Sequence, residues 1–80
     1  MKRITVRYFA AFRDMTGMTA ENVETGVESL DELFEELCER HSGLIPQSAA
    51  LVALNDVMTD WTADFADGDE VLLFPPVAGG

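Results

Sequence analysis

The residues best suited to chemistry are the last ones of the chain. Residues 77–80 (VAGG) carry only small, uncharged side chains. Because Gly79 and Gly80 have no Cβ atom, their backbone can enter a channel too narrow for other residues. The Gly80 carboxylate would become an acyl donor once activated, usually by ATP in a separate enzyme. The residues alone leave two other interpretations open: an ordinary frayed terminus and the remnant of a fusion.

A buried strand must position this terminus. Residues 67–69 (DGD) predict a turn, and residues 71–74 (VLLF) form an unbroken apolar run typical of a strand covered on both faces. Pro75 and Pro76 end the strand, because proline has no backbone N–H for a sheet ladder. We expect a folded domain at residues 1–74 and a flexible tail at residues 75–80, which reaches roughly 20 Å when extended.

The remaining elements predict an α+β fold. Residues 29–41 form the main helix, with Leu30, Leu33 and Leu37 on its apolar face, a Ser29–Glu32 capping box and Gly43 as its closing residue. Strands are predicted at residues 2–9, 20–25, 51–54, 57–58 and 71–74, with 20–25 at an edge. Residues 10–19 form a loop with at most a helical turn, and Trp61 and Phe65 cover the bottom of the core. One helix packed across a mixed sheet of four to five strands, with the first and last strands parallel at the centre, is a β-grasp (ubiquitin-like) arrangement.

The charge restricts the class of partner. The chain has 80 residues, a net charge of −10 and a pI near 4.1. Such a surface repels nucleic acid and anionic membranes and favours basic protein partners, although solubility or adaptation to a salty cytoplasm explains it equally well. No segment is apolar enough for a membrane span or a signal peptide. The single cysteine, Cys38, favours a reducing compartment, and we expect a cytoplasmic protein.

The parts of a self-sufficient enzyme are missing from the sequence. The one histidine, His41, lies at a helix end, and there is no phosphate loop, cysteine pair or zinc spacing. The acidic run Glu35, Glu36 and Glu39 is typical of a solvated helix face, and Cys38 of a small core residue. We therefore expect no metal and no bound cofactor, and chemistry that is performed by larger partners.

Three segments resemble one known family. The ending DGDEVLLFPPVAGG (67–80), the stretch RYFAAFRDMTG (7–17) and the hairpin VALNDVMTD (52–60) are similar to the small, sulfur-carrying subunit of molybdopterin synthase. That subunit is a ubiquitin-like sulfur carrier of the MoaD/ThiS-like family. The resemblance covers nearly the whole chain, and its most specific part is the Phe-Pro-Pro-Val-x-Gly-Gly ending. It implies the β-grasp fold.

The resemblance also implies a function. A ubiquitin-activating-type enzyme would adenylate Gly80 with ATP, and a sulfur donor protein would displace AMP to leave a covalent thiocarboxylate. The tail would then deliver sulfur to cyclic pyranopterin monophosphate, with Gly79 giving clearance. The family assembles two small and two large subunits, and the catalytic side chains belong to the large subunit. Three alternatives stay open: the sulfur carrier for the thiazole of thiamine, a protein modifier that links Gly80 to lysines, and a binding module with an inert tail.

A docking face for the large subunit follows from strand alternation. If Val71 and Leu73 face the helix, then Leu72 and Phe74 look outward. Phe9 lies on the outward side of the first strand, and Met58 ends the neighbouring hairpin. The resemblance implies that the large subunit docks on this sheet face and on the tail. The candidate partner-binding residues are Phe9, Met58, Leu72, Phe74, Pro75, Pro76 and Val77.

Overall fold

Five strands form one mixed sheet in the computed structural model, which describes residues 1–44 and 50–76. They are β1 (Lys2–Tyr8), β2 (Ala20–Thr25), β3 (Leu51–Leu54), β4 (Val57–Thr59) and β5 (Glu70–Phe74). The order across the sheet is β2-β1-β5-β3-β4. The central strand β5 runs parallel to β1 and antiparallel to β3. The predicted pairing of the first and last strands is confirmed, as is the edge position of β2.

Two helices accompany the sheet. α1 (Ala11–Thr16) occupies the middle of the segment predicted as a loop, and it ends at Gly17, whose φ of 76° is a conformation that favours glycine. α2 (Leu30–Arg40) is the predicted main helix, and Ser29 and Glu32 form its predicted capping box. The sequence prediction for Gly43 was wrong. His41 closes α2, while a Cβ on Gly43 would lie 2.9 Å from the carbonyl oxygen of Met15, so Gly43 permits a close backbone approach.

The core lies between α2 and one face of the sheet. β1, β5 and β3 each supply alternate residues to it, and α2 supplies its apolar face, as the periodicity predicts. Its buried members are Ile4, Val6, Tyr8, Phe12, Val23, Leu30, Leu33, Phe34, Leu37, Leu44, Ala50, Val52, Phe65, Val71 and Leu73. Cys38 and Trp61 are partly buried against this cluster. Neither helix in the described part of the chain is long and apolar enough to span a membrane.

A side-chain clamp fixes the start of β5. Asn55 and Asp56, in the turn between β3 and β4, both have positive φ angles, 51° and 69°, as a type I′ hairpin turn requires. The Asn55 side chain donates to Asp69 Oδ1 and accepts from the Glu70 backbone N–H, both at 2.9 Å. The β3–β4 hairpin is therefore tied to the turn before β5, which sets the direction in which β5 enters the sheet.

A second polar cluster joins the end of α2 to the sheet. Glu21 Oε2 accepts a hydrogen bond from the Tyr8 hydroxyl at 2.5 Å and lies 2.5 Å from His41 Nε2. Arg40 Nη1 lies 3.6 Å from Glu21 Oε1. Burial and the Glu21 contact raise the pKa of Tyr8 well above its usual value, so its hydroxyl stays a donor. The Glu21 cluster thus connects β1, β2 and the C-terminal end of α2.

The Glu21 cluster should make stability depend on pH. Burial alone would raise the pKa of the Glu21 carboxyl, but hydrogen bonds from Tyr8 and His41 and nearby positive charge lower it below its usual value. A carboxyl whose pKa is lowered by folding stabilises the protein above its unfolded pKa, and this contribution is lost as pH falls through the folded pKa. We expect Glu21→Gln to lower the free energy of unfolding by about 1 kcal/mol near neutral pH. The difference from wild type should shrink as pH falls below about 4.

Urea denaturation of both proteins near pH 7 and near pH 3 measures this difference. The matched control is Glu24→Gln on the same strand, because Glu24 pairs with Arg3 on the surface and exposed pairs contribute little. A Glu21→Gln defect of equal size at both pH values would contradict the electrostatic explanation and indicate lost packing instead.

Candidate functional site

One face of the sheet points away from α2. Successive side chains of a strand point to opposite faces of the sheet. Val71 and Leu73 of β5 point into the core, so Leu72 and Phe74 lie on the second face. The same alternation applies to β3. Cα pairing aligns Arg7 with Leu72, Leu72 with Ala53, and Ala53 with Met58. These four residues therefore form one row across β1, β5, β3 and β4.

A second row contains the aromatic residues. Phe74 is the Cα partner of Leu51, and its ring stacks on that of Phe9 with centroids 4.7 Å apart and planes 14° from parallel. We call the apolar residues of both rows the open face. Its members are Phe9, Leu51, Ala53, Met58, Leu72 and Phe74.

Local backbone geometry directs Phe9 onto this face. β1 ends at Tyr8, but the Phe9 N–H still donates to the Leu73 carbonyl at 3.3 Å, so Phe9 continues the pairing with β5. The next residue, Ala10, has a φ of 50° and begins the turn into α1. This hydrogen bond keeps Phe9 in register with β5, and the Phe9 ring lies beside that of Phe74.

Exposure on the open face differs from the sequence prediction in two places. Leu51 and Met58 are 56% and 55% exposed, and Phe9 and Phe74 are half-buried. Leu72 points outward as predicted but is only 8% exposed, and it lies on the central strand between its Cα partners Arg7 and Ala53. Leu72 is therefore a buried residue of the open face. The sequence prediction is corrected at this position, because the Leu72 side chain is not an exposed contact surface. Leu51 was missed, although its alternation with the core residue Val52 indicates its direction.

A charged pair borders the open face. Arg7 Nε donates to Glu70 Oε2 at 2.5 Å, and this hydrogen bond and the Glu70 charge raise the pKa of Arg7 above its usual value. Half of the Arg7 side chain is exposed. An apolar centre with a polar border is the usual anatomy of a protein–protein interface.

The tail leaves the fold from the edge of the open face. Phe74 is the last residue of β5, Pro75 is half-buried and Pro76 is exposed. Val77, Gly79 and Gly80 lie outside the described residues, so their predicted roles stay predictions. The structure therefore brings together the predicted residues Phe9, Phe74 and Met58 and adds Leu51 to them.

The other titratable candidates are engaged in the fold. His41 belongs to the Glu21 cluster. Burial, and then the charge of Glu35, raise the pKa of the Cys38 thiol, so it is a poor nucleophile. Across residues 1–44 and 50–76, no three histidine, cysteine, aspartate or glutamate side chains group as a metal site would require.

The chain is similar to known sulfur carriers over nearly its full length. Residues 6–80 match the model of the ThiS family. The chain is 30% identical over 80 residues to the molybdopterin synthase sulfur carrier subunit of Escherichia coli (strain K12), which covers 96% of this chain and 99% of that protein.

Two solved structures extend the comparison. In the protein–protein complex of subunits 1 and 2 of molybdopterin-converting factor from Helicobacter pylori, the matched chain is 28% identical, with a TM-score of 0.66 and coverage of 98% of this chain and 99% of that chain. Haloferax volcanii small archaeal modifier protein 1 has a TM-score of 0.84 over 96% of this chain and 100% of that one. Its identity is 21%, so it supports the β-grasp fold alone.

Proposed function

Since this chain belongs to the ThiS family, we propose that it carries sulfur for molybdenum cofactor biosynthesis, as the small subunit of molybdopterin synthase. Gly80 is the site of a C-terminal thiocarboxylate, whose sulfur passes to cyclic pyranopterin monophosphate to make molybdopterin. The observation that carries the proposal is the juxtaposition of the open face with the root of the tail at Phe74. The similarity to a named molybdopterin synthase sulfur carrier subunit supports it.

Loading the carrier needs two substitutions, the first at the α-phosphorus of ATP and the second at the Gly80 carbonyl carbon. An oxygen of the carboxylate attacks the α-phosphorus of ATP, and pyrophosphate leaves. A sulfide-level sulfur from the donor protein then attacks the acyl adenylate, and AMP leaves with the former carboxylate oxygen. The product is a thiocarboxylate. When its sulfur passes to the pterin precursor, water supplies the oxygen that restores the carboxylate.

The residues of this chain contribute binding and positioning. Phe9 and Phe74 supply a rigid apolar surface for the large subunit, because their rings are already stacked in the free chain. From Phe74 the tail reaches roughly 20 Å when extended, so the active site of the large subunit must lie within that distance of the open face. Gly79 provides clearance next to the reactive carbonyl.

The proposal requires three protein partners. They are the large subunit, in a heterotetramer of two small and two large chains, a ubiquitin-activating-type adenylating enzyme and a sulfur donor protein. The Helicobacter pylori complex of subunits 1 and 2 supports the large subunit as a partner. The chemistry suits a reducing compartment such as the cytoplasm, and Cys38 is a free thiol.

Mass spectrometry of the intact chain tests the proposal. After incubation with the adenylating enzyme, ATP and a sulfur source, we expect the mass to rise by the difference between sulfur and oxygen, with the change located in the C-terminal peptide. The same mixture without ATP is the control, because adenylation must precede sulfur transfer. An unchanged mass in the presence of an enzyme that adenylates Gly80 would contradict the sulfur-carrier assignment.

A protein-modifier role is the second candidate. The Gly79-Gly80 ending suits this chemistry, and a small archaeal modifier protein has the same fold. A modifier would transfer the Gly80 acyl group to a lysine amine and release AMP. Because Arg40 is the last basic residue before Gly80, trypsin would leave residues 41–80 as a branched remnant on peptides of the target. Such remnants on other proteins, without sulfur transfer to the pterin precursor, would favour the modifier over the carrier.

A further inference from the structure

A groove of about 450 Å³ lies on α2, on the opposite side of the sheet from the open face. Its lining combines an apolar floor with an acidic border. The lining residues are Asp31, Phe34, Glu35, Cys38, Glu39 and Trp61. This volume is within the range of roughly 300–1,000 Å³ that ligand pockets occupy.

The floor of the groove is held in place before any partner binds. The rings of Phe34 and Trp61 meet edge to face, with centroids 5.2 Å apart. Trp61 Nε1 donates to the Ala50 carbonyl at 3.0 Å, and the Trp61 carbonyl accepts from the Asp31 N–H at 2.9 Å. The indole N–H and the carbonyl of Trp61 are thus satisfied within the fold. A binding surface that is already ordered loses little conformational entropy when it is occupied.

The border of the groove carries an unbalanced negative charge. Asp31, Glu35 and Glu39 are spaced four residues apart, so their carboxylates follow one another along the same side of α2. Like charges at this spacing destabilise a helix. Among the described residues, none of the ion pairs involves Glu35 or Glu39, and the nearest base in sequence, Arg40, contacts Glu21 instead. Asp31 accepts hydrogen bonds at the start of α2, whereas the charges of Glu35 and Glu39 suit a cationic ligand.

We propose that this groove binds a basic segment of a protein partner. An apolar side chain of the segment packs against Phe34 and Trp61, and flanking lysine or arginine side chains lie beside Glu35 and Glu39. The acidic border repels acidic segments and offers neutral segments no charge attraction, and the net charge of −10 disfavours a second copy of this chain.

The groove is separate from the surface that the proposed function uses. The open face and the groove lie on opposite sides of the sheet, so one carrier can hold a partner on each. A protein with a basic segment can therefore retain the carrier while the large subunit occupies the open face. Binding in the groove requires no sulfur on Gly80, so its test is independent of sulfur transfer.

The fluorescence of Trp61 reports occupancy directly, because it is the only tryptophan of the chain. The probe is the amidated peptide Lys-Arg-Leu-Leu-Arg-Lys, and its partner probe has glutamine in place of each basic residue. We expect the basic peptide to shift the Trp61 emission saturably, with a dissociation constant on the order of 100 μM or below. The affinity should fall steeply with added salt, and the glutamine peptide should bind at least tenfold more weakly.

Two double variants of equal charge distinguish binding at the groove from nonspecific electrostatic attraction between the basic peptide and the acidic chain. Glu35→Gln with Glu39→Gln should weaken binding of the basic peptide about tenfold, whereas Asp14→Asn with Asp56→Asn, at exposed positions on α1 and the β3–β4 turn, should leave it nearly unchanged. Equal weakening by both pairs, no saturable emission change, or equal binding of the two peptides would each overturn the proposal. An emission change on dilution without peptide would show that a second copy of the chain occupies the groove, which also overturns it.

Discussion

Removal of Gly80 is expected to abolish sulfur transfer while leaving the fold intact. The truncated chain still ends in a carboxylate, now on Gly79, but that group stops about 3.4 Å short of the original position. Misplacement of a reacting group by as little as about 1 Å can cost a hundredfold in rate. The expected result is therefore complete loss of molybdopterin formation with the large subunit.

Replacement of Gly79 by tryptophan should have an equally large effect for a different reason. The substitution keeps the length of the tail and the terminal carboxylate but adds a large side chain next to the reactive carbonyl. Ala78→Gly is the matched control, since it alters the tail without adding bulk, and it should retain most of the activity. All three variants should unfold within about 0.5 kcal/mol of wild type, because Leu73 is the last member of the core cluster among the described residues.

The measurement combines two readouts. Mass spectrometry reports whether the activating enzyme still loads sulfur, and a single-turnover assay with the large subunit reports transfer to the pterin precursor. Loss in both assays, with unchanged circular dichroism, is expected for the deletion. If the chain without Gly80 still supported molybdopterin formation, the carrier assignment would be lost.

Long elements with a regular pattern were predictable from the sequence alone. The apolar spacing of α2 and its Ser29–Glu32 capping box gave bounds within one residue of the observed Leu30–Arg40. The run of four apolar residues at 71–74 likewise predicted the central strand β5. In both elements the local preference and the burial required by the fold agree. By contrast, α1 has six residues and a single buried side chain, Phe12, which is too little periodic signal to separate a helix from a loop.

Features that depend on pairing between distant segments were not predictable. Alternation gave the direction of Leu72 but not its burial, which depends on its pairing with Arg7 on one side and Ala53 on the other. The same pairing places Leu51 beside Phe74. The Glu21 cluster also escaped prediction, because its members come from β1, β2 and the end of α2 and share no sequence pattern.

Truncation of Phe74 or a charge at Phe9 should weaken binding to the large subunit by about 2 kcal/mol, roughly thirtyfold in affinity. Phe74→Ala removes one ring of the stacked pair at the root of the tail. Phe9→Glu places a carboxylate beside the remaining ring, where docking would have to desolvate it. Leu51→Ala, at an exposed position of the same face, should cost about 1 kcal/mol.

Val57→Ala is the matched control for these variants. Val57 is 67% exposed, more than any residue of the open face, but its Cα partner is Leu54, which packs against the core. Its side chain therefore points to the α2 side of the sheet, and its truncation should leave the affinity for the large subunit unchanged. Isothermal titration of each variant against the large subunit gives the affinities, and circular dichroism at the same temperature checks the fold. Phe9 and Phe74 are the two aromatic residues of the open face. If Phe74→Ala and Phe9→Glu bound the large subunit as tightly as Val57→Ala does, docking would have to use another surface.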